Sequence, residues 1–263
     1  MESYFPTLSV DKINRKNALH HTSALFLSSS YEQDEVINML LSKGANPDDG
    51  LWIAAAMGNI GLVKKLLDAG ANPNGKNYQS HTALFYAAMY GQLETLKLLL
   101  SCGASPNQDS ESSPLLMAVK NNHTEVAQVL LENNANPIFS NKKGIQAIHL
   151  ASFFGNERIV KLLLQYGVKK TVLTLEEKTP LYFAILGKQK YLAEHVLLDE
   201  VGVRLTLSRA IKENEGEVIR YIACLPKYQG APVYPFLHTP RFFQPKPREG
   251  KQITYLSEIT NRK

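Results

Sequence analysis

The side chains that could do acid–base, nucleophilic or metal chemistry are few: seven histidines and two cysteines. His20 and His21 adjoin and could open a metal site, but nothing nearby supplies further ligands, so they read as the entry into the first structural unit. Cys102 would need a base and an orienting group to act as a nucleophile. The phosphate-binding patterns GxxxxGK[ST] and GxGxxG, the zinc pattern HExxH and the nucleophile pattern GxSxG are all absent. Catalysis, a cofactor and a small-molecule substrate are therefore not expected.

What would position any site is a repeat. The segments LLSKGANPD (Leu40–Asp48), LLDAGANPN (Leu66–Asn74), LLSCGASPN (Leu99–Asn107) and LLENNANPI (Leu130–Ile138) recur, with a fainter LLQYGVKKT (Leu163–Thr171). Their turn residues, Gly44, Gly70, Gly103, Asn134 and Gly167, are spaced by 26, 33, 31 and 33 residues. A second segment precedes each turn, as in HTALFYAAMYGQ (His81–Gln92) and KTPLYFAILGKQ (Lys178–Gln189). Degraded copies are TSALFLSSSYEQ (Thr22–Gln33) and TLSRAIKEN (Thr206–Asn214). Cys102 falls where other copies carry Ala69, Lys43 and Tyr166, which marks a variable exposed site.

One unit reads as two helices. Leu84, Ala87 and Ala88 share a helix face, as do Leu93, Leu96, Leu99 and Leu100 in the next stretch. Thr82, Ser113 and Thr179 stand as N-caps, the latter two followed by Pro114 and Pro180. Gly91 ends a first helix and Gly103 a second, where a left-handed residue is needed; Asn134 suits the same conformation. Pro47, Pro73, Pro106 and Pro137 stop continuation.

A 33-residue helix–turn–helix unit with Thr179-Pro180-Leu181 and Ile148-His149-Leu150-Ala151 at helix starts resembles the ankyrin-repeat family across roughly residues 20–226. The resemblance implies an all-α solenoid of about seven repeats with short β-hairpin fingers. The units ending near Gly70 and starting near Leu205 are short and are expected to lack the finger. His149 then reads as a structural histidine bonding between repeats rather than a base or ligand, and His123 as a turn residue. The expected organisation is an N-terminal capping segment at 1–19, the repeat domain at 20–226 and a tail at 227–263. The Asn/Lys/Ile-rich repeats with the ANP turn also resemble ankyrin effectors of intracellular bacteria, which act inside a host cell.

Charge is divided unevenly. The tail carries seven basic and two acidic residues, the whole excess of the chain's net +5. It also holds Pro232, Pro235, Pro240, Pro245 and Pro247 among aromatics, and reads as an extended, disordered or partner-folded segment. The neutral body argues against a broad nucleic-acid face. The longest apolar run, Leu51–Met57, is too short to span a membrane, and the start MESYFPTLSVDKINRK has no signal-peptide pattern. Cys102 and Cys224 form no CxxC pair, so free thiols in a reducing, cytoplasmic compartment are expected. Cys224-Leu225-Pro226 is followed by Lys-Tyr-Gln and does not complete an L-P-x-x-L ligase box.

Between copies, the two residues closing each first helix vary while their neighbours do not. In ankyrin proteins these positions line the concave face. Met57, Met89, Tyr90, Phe153 and Phe154 stand there and are expected to anchor a protein partner. Tyr78 and His81 on one hairpin tip, and Lys142 and Lys143 on another that runs from Ser140 to Ile145, extend that surface. The function expected is a protein-interaction scaffold or adaptor. The alternatives are a recruiting module of an enzyme complex, or contact of the basic tail with anionic lipid or nucleic acid.

Overall fold

The computed structural model describes residues 9–16, 23–107 and 113–225. His20, His21 and the tail 227–263 lie outside these. The chain divides into two compact units, Met1–Asn136 and Pro137–Lys263.

In the first unit a short helix α1 (Val10–Ile13) precedes four helix pairs. These are α2 (Ala24–Ser30) with α3 (Asp34–Ser42), α4 (Asp48–Met57) with α5 (Ile60–Asp68), α6 (Ala83–Met89) with α7 (Leu93–Ser101), and α8 (Pro114–Lys120) with α9 (Thr124–Glu132). The second unit holds α10 (Ala147–Phe154), α11 (Glu157–Gln165), α12 (Pro180–Leu186), a π-helical stretch Leu192–Leu197, α13 (Glu200–Glu213) and α14 (Gly216–Ala223). That makes seven pairs among the described residues.

The local signals operate as read. The hydroxyls of Thr82, Ser113 and Thr179 accept from the amides of Phe85, Leu116 and Tyr182 at 3.2, 3.2 and 3.1 Å. Asn134 takes φ 63° where Gly103 takes 87°. First helices pack side by side, α2 on α4, α4 on α6 and α6 on α8. The seam is made of alanines: Ala54, Ala55, Ala87, Ala88 and Ala118 are wholly buried. Small side chains let the helices approach, and Leu66, Leu96, Leu99 and Leu130 fill the layer behind.

Two sets of side-chain bonds recur between neighbouring repeats within each unit. In the first unit Asn14, Asn74 and Asn107 clamp the following turn. Each donates its side-chain amide to a carbonyl, of Gly44, Gly103 and Asn134 respectively, at 3.1, 2.9 and 2.9 Å. Each also accepts the amide two residues further on, from Asn46, Ser105 and Asn136. In the second set Gln92 and His123 donate to the carbonyls of Ala56 and Met89 at 3.1 and 3.2 Å, and in the second unit Gln189 donates to Phe153 at 3.3 Å. Gly91 has φ 74°, and a Cβ there would lie 2.5 Å from the His123 ring. Glycine therefore serves both the turn and the bond across it.

The two short units lack a finger, as expected. α4 begins directly after Pro47, and α13 begins two residues after Leu198. Its start departs from the sequence reading, which placed the last copy at Thr206. Asp199 caps the helix by accepting from the Gly202 amide at 2.6 Å, so the helix already runs from Glu200, ahead of Thr206. Elsewhere the fingers are minimal. A single antiparallel bridge closes two of them, Lys76 to Thr82 and Ser140 to Gln146, and no longer strand is present among the described residues.

His149 is wholly buried and holds the second unit together. Its Nδ1 accepts from the Gln146 amide at 3.1 Å, so Nε2 carries the proton and donates to the Val172 carbonyl at 3.2 Å. Burial outweighs these bonds and pushes its pKa down to about 4.

Two outcomes are expected. Leu163 is fully buried, so Leu163→Ala should destabilise by about 2–5 kcal/mol in denaturant titration. The buried neutral His149 should also make stability fall with acid. Its folded pKa of about 4 lies below the ordinary 6.5, so the unfolded chain takes up the proton first. Stability is then lost as pH falls from 6.5 to 4, by roughly 3 kcal/mol in full. Urea midpoints for the wild type and His149→Gln should converge on acidification through that window; parallel pH profiles would sink the assignment.

Candidate functional site

The candidate surface is built from the ends of the first helices. In the first unit the packed row α2, α4, α6 brings Tyr31, Met57 and Tyr90 to equivalent places on adjacent helices. They are 73%, 39% and 53% exposed. Met89, next to Tyr90, is half-buried. One turn back, Ala54 and Ala87 are fully buried and Ser28 is 4% exposed, so the backbone is fixed while these side chains project.

An aromatic cluster that the sequence reading did not single out lies in the same unit. Phe26 stacks on Trp52 at 4.8 Å and 21°, and Tyr86 packs on Trp52 at 5.2 Å. Tyr78, 55% exposed, meets Trp52 edge-on at 6.3 Å. The finger is held over them by hydrogen bonds, as the Asn77 amide donates to the Tyr86 hydroxyl at 2.9 Å and that hydroxyl donates to Gln79 at 2.6 Å. Part of the signal is in the sequence: with the copies aligned on the leading leucine of the first helix, the next residue is Phe26, Trp52 and Phe85 in the first three and Leu116 in the fourth, with Tyr86 one place beyond Phe85.

Finger residues split between tip and base. Tyr78, Lys142 and Lys143 are exposed, and His81 is half-buried at the base, stacked on Phe85 at 3.9 Å and 8°. Ile145, expected on the tip, is only 4% exposed and belongs to the core. The reason is the loop itself: Asn141 accepts from the amides of Lys143 and Ile145, which curls the tip and turns Ile145 inward.

In the second unit Phe153 and Phe154 are half-buried and meet edge to face at 5.3 Å. Gly187 lies so close that a Cβ there would sit 2.0 Å from the Phe153 carbonyl oxygen. Glu213, also at a helix end, is not a free surface charge. It accepts from the Tyr182 hydroxyl at 3.0 Å and pairs with Arg209 at 2.5 Å and Lys178 at 3.4 Å. Burial pushes its carboxyl up, but Arg209, Lys178 and Tyr182 outweigh burial and hold it below the usual carboxylate range. Burial, with Glu215 and Glu213 nearby, raises the Tyr182 phenol.

Cys102 and Cys224 are exposed, and His149 is committed to its two backbone bonds. Among the described residues no helix is long and apolar enough to cross a membrane.

Comparison with known proteins agrees with this geometry. The family model for ankyrin repeats, three copies long, matches residues 25–110, 51–141 and 115–207. A probable 26S proteasome regulatory subunit p28 of Saccharomyces cerevisiae is 28% identical over 204 residues, 68% of this chain and 75% of its own. A putative ankyrin repeat protein of fowlpox virus is 26% identical over 173 residues, covering 61% of this chain and 91% of its own. The human transient receptor potential cation channel subfamily A member 1 is 28% identical over 155 residues, 57% of this chain. That match spans only 14% of the channel's length. With helix pairs, capped starts and left-handed turns recurring in register, the chain belongs to the ankyrin-repeat family.

Proposed function

We propose that this chain is a protein-interaction scaffold that binds a partner protein through the face made by the first-helix ends. The observation that carries the reading is the row Tyr31, Met57 and Tyr90, exposed at equivalent places on adjacent helices over a buried seam of small residues, Ser28, Ser29, Ala54, Ala55, Ala87 and Ala88. Ankyrin repeats generally mediate protein–protein interaction, and the yeast relative is named as a regulatory subunit of an assembly. Exposed aromatic and Met side chains on a rigid backbone bury large area at little cost in order. Tyr78 at the finger extends the surface, and Lys142 and Lys143 steer an acidic partner in the second unit. Phe153 and Phe154 anchor there as half-buried side chains, so truncating them also loosens their own packing.

A non-enzymatic role accords with how the buried titratable groups are used. His149, Tyr182 and Glu213 each bond to a neighbouring repeat.

The test uses the exposed residues, whose loss removes no core. Tyr31→Ala/Tyr90→Ala should leave the melting temperature close to that of the wild type and weaken the captured partner by about 2 kcal/mol or more. A photo-crosslinking residue at position 90 should label that partner, while one at exposed Lys97 on α7 should not. Equal labelling from both positions, or unchanged affinity of the folded double variant, removes the helix-end face as the site.

A further inference from the structure

The three asparagine clamps are alike in geometry but not in the residue that follows. Asn14 is followed by Arg15 and Asn107 by Gln108, whereas Asn74 is followed by Gly75. A backbone amide next to an asparagine side chain can attack it, and glycine, with no Cβ, hinders that attack least. We propose that Asn74 is a self-modifying site, gated by its own clamp, at which spontaneous deamidation permanently loosens the junction between the α6/α7 repeat and the one before it.

The step balances without any enzyme. The deprotonated Gly75 nitrogen attacks the Asn74 Cγ and forms a new N–C bond. The Cγ–Nδ2 bond breaks and the nitrogen leaves as ammonia, closing a five-membered succinimide. Water then adds to either ring carbonyl and opens the ring to aspartate or isoaspartate. No electron is gained or lost.

The closed structure holds every participant away from this reaction. Nδ2 of Asn74 is bonded to the Gly103 carbonyl at 2.9 Å, and Oδ1 accepts from the Ser105 amide at 2.8 Å. The Gly75 amide is itself donated to the Asn72 carbonyl at 2.9 Å. Attack requires the side chain to leave the Gly103 turn and rotate onto Gly75, so it proceeds through local opening of the clamp. The change then cannot be undone by closing. A carboxylate has no N–H for Gly103, and it would set two acceptor oxygens against each other where a bond of 2.9 Å stood. The isoaspartate product also inserts an extra backbone carbon and shifts the finger that carries Tyr78. Asn74 thus records how often this junction opens, and a ligand that holds the clamp shut slows the record.

The experiment incubates the full chain at mildly alkaline pH, native and in urea, and follows the tryptic peptide Leu66–Lys76 by mass for the gain of amide-to-acid exchange. Conversion is expected in both, slower in the native protein by tenfold or more. Asn107 should keep its amide in both. Native protein that has converted, and Asn74→Asp made directly, should both melt about 2–4 °C lower than the wild type. Equal rates with and without urea would overturn the gating. Complete retention of the amide in the native protein would overturn the modification. A converted protein, or Asn74→Asp, that melts with the wild type would overturn the role of the clamp.

Discussion

A helix that ends leaves carbonyls without donors, and in this fold much of the supply comes from the next repeat. Asn74 reaching Gly103, Gln92 reaching Ala56 and His123 reaching Met89 are the same device at different turns. Other features follow from it. The turn must bend left-handed and leave room for the incoming side chain, which puts glycine at position 91. The first helices must lie close enough for a side chain of modest length to span them, which requires the alanine seam. A repeat on its own could satisfy neither its turn nor its apolar face, so the pairs are stable only as neighbours.

Because the main chain is fixed from behind, the residues at the helix ends are released from structural duty. Tyr31, Met57 and Tyr90 make no demand on the seam, which explains why those positions range over Tyr, Met and Asn121 while the seam position stays small, as Ser28, Ala54, Ala87 and Ala118. The same logic separates the finger's parts. Asn77 and Asn141 spend their side chains on curling the loop, leaving Tyr78, Lys142 and Lys143 outward. Rigidity and variability are therefore produced by one arrangement, and that combination suits recognition better than chemistry.

The repeat, its caps and its left-handed turns were legible because each depends on a residue type at a fixed spacing. Thr82, Ser113, Asn134 and the structural role of His149 needed no knowledge of packing. What escaped was whatever depends on a neighbour one repeat away. Phe26 and Trp52 are unremarked singly and become a cluster only when their helices adjoin. Ile145 looked like a tip residue because spacing locates a finger but does not say which way its last residue turns. The start of α13 escapes a reading by likeness between copies, which locates the last one at Thr206, because Asp199 sets the boundary locally and no other copy has a cap at that place.

The two units solve the same problem with different chemistry. Where the first unit has Asn74 and Asn107 after the proline, the second has Ile138, whose apolar side chain can neither donate to a turn carbonyl nor accept its amide. Beside the Gln189–Phe153 bond, which matches Gln92–Ala56 in the first unit, its repeats are tied by His149 to Val172 and by the Tyr182–Glu213–Arg209 set with Lys178 beside it. These bonds involve titratable groups, so the second unit is sensitive to proton concentration in a way that neutral amide clamps are not. Burial favours the neutral imidazole of His149 and opposes the charge on Glu213, yet Glu213 stays ionised because Arg209 and Lys178 flank it. Acid therefore acts on both through one rule, by protonating groups whose native bonds require them without the proton.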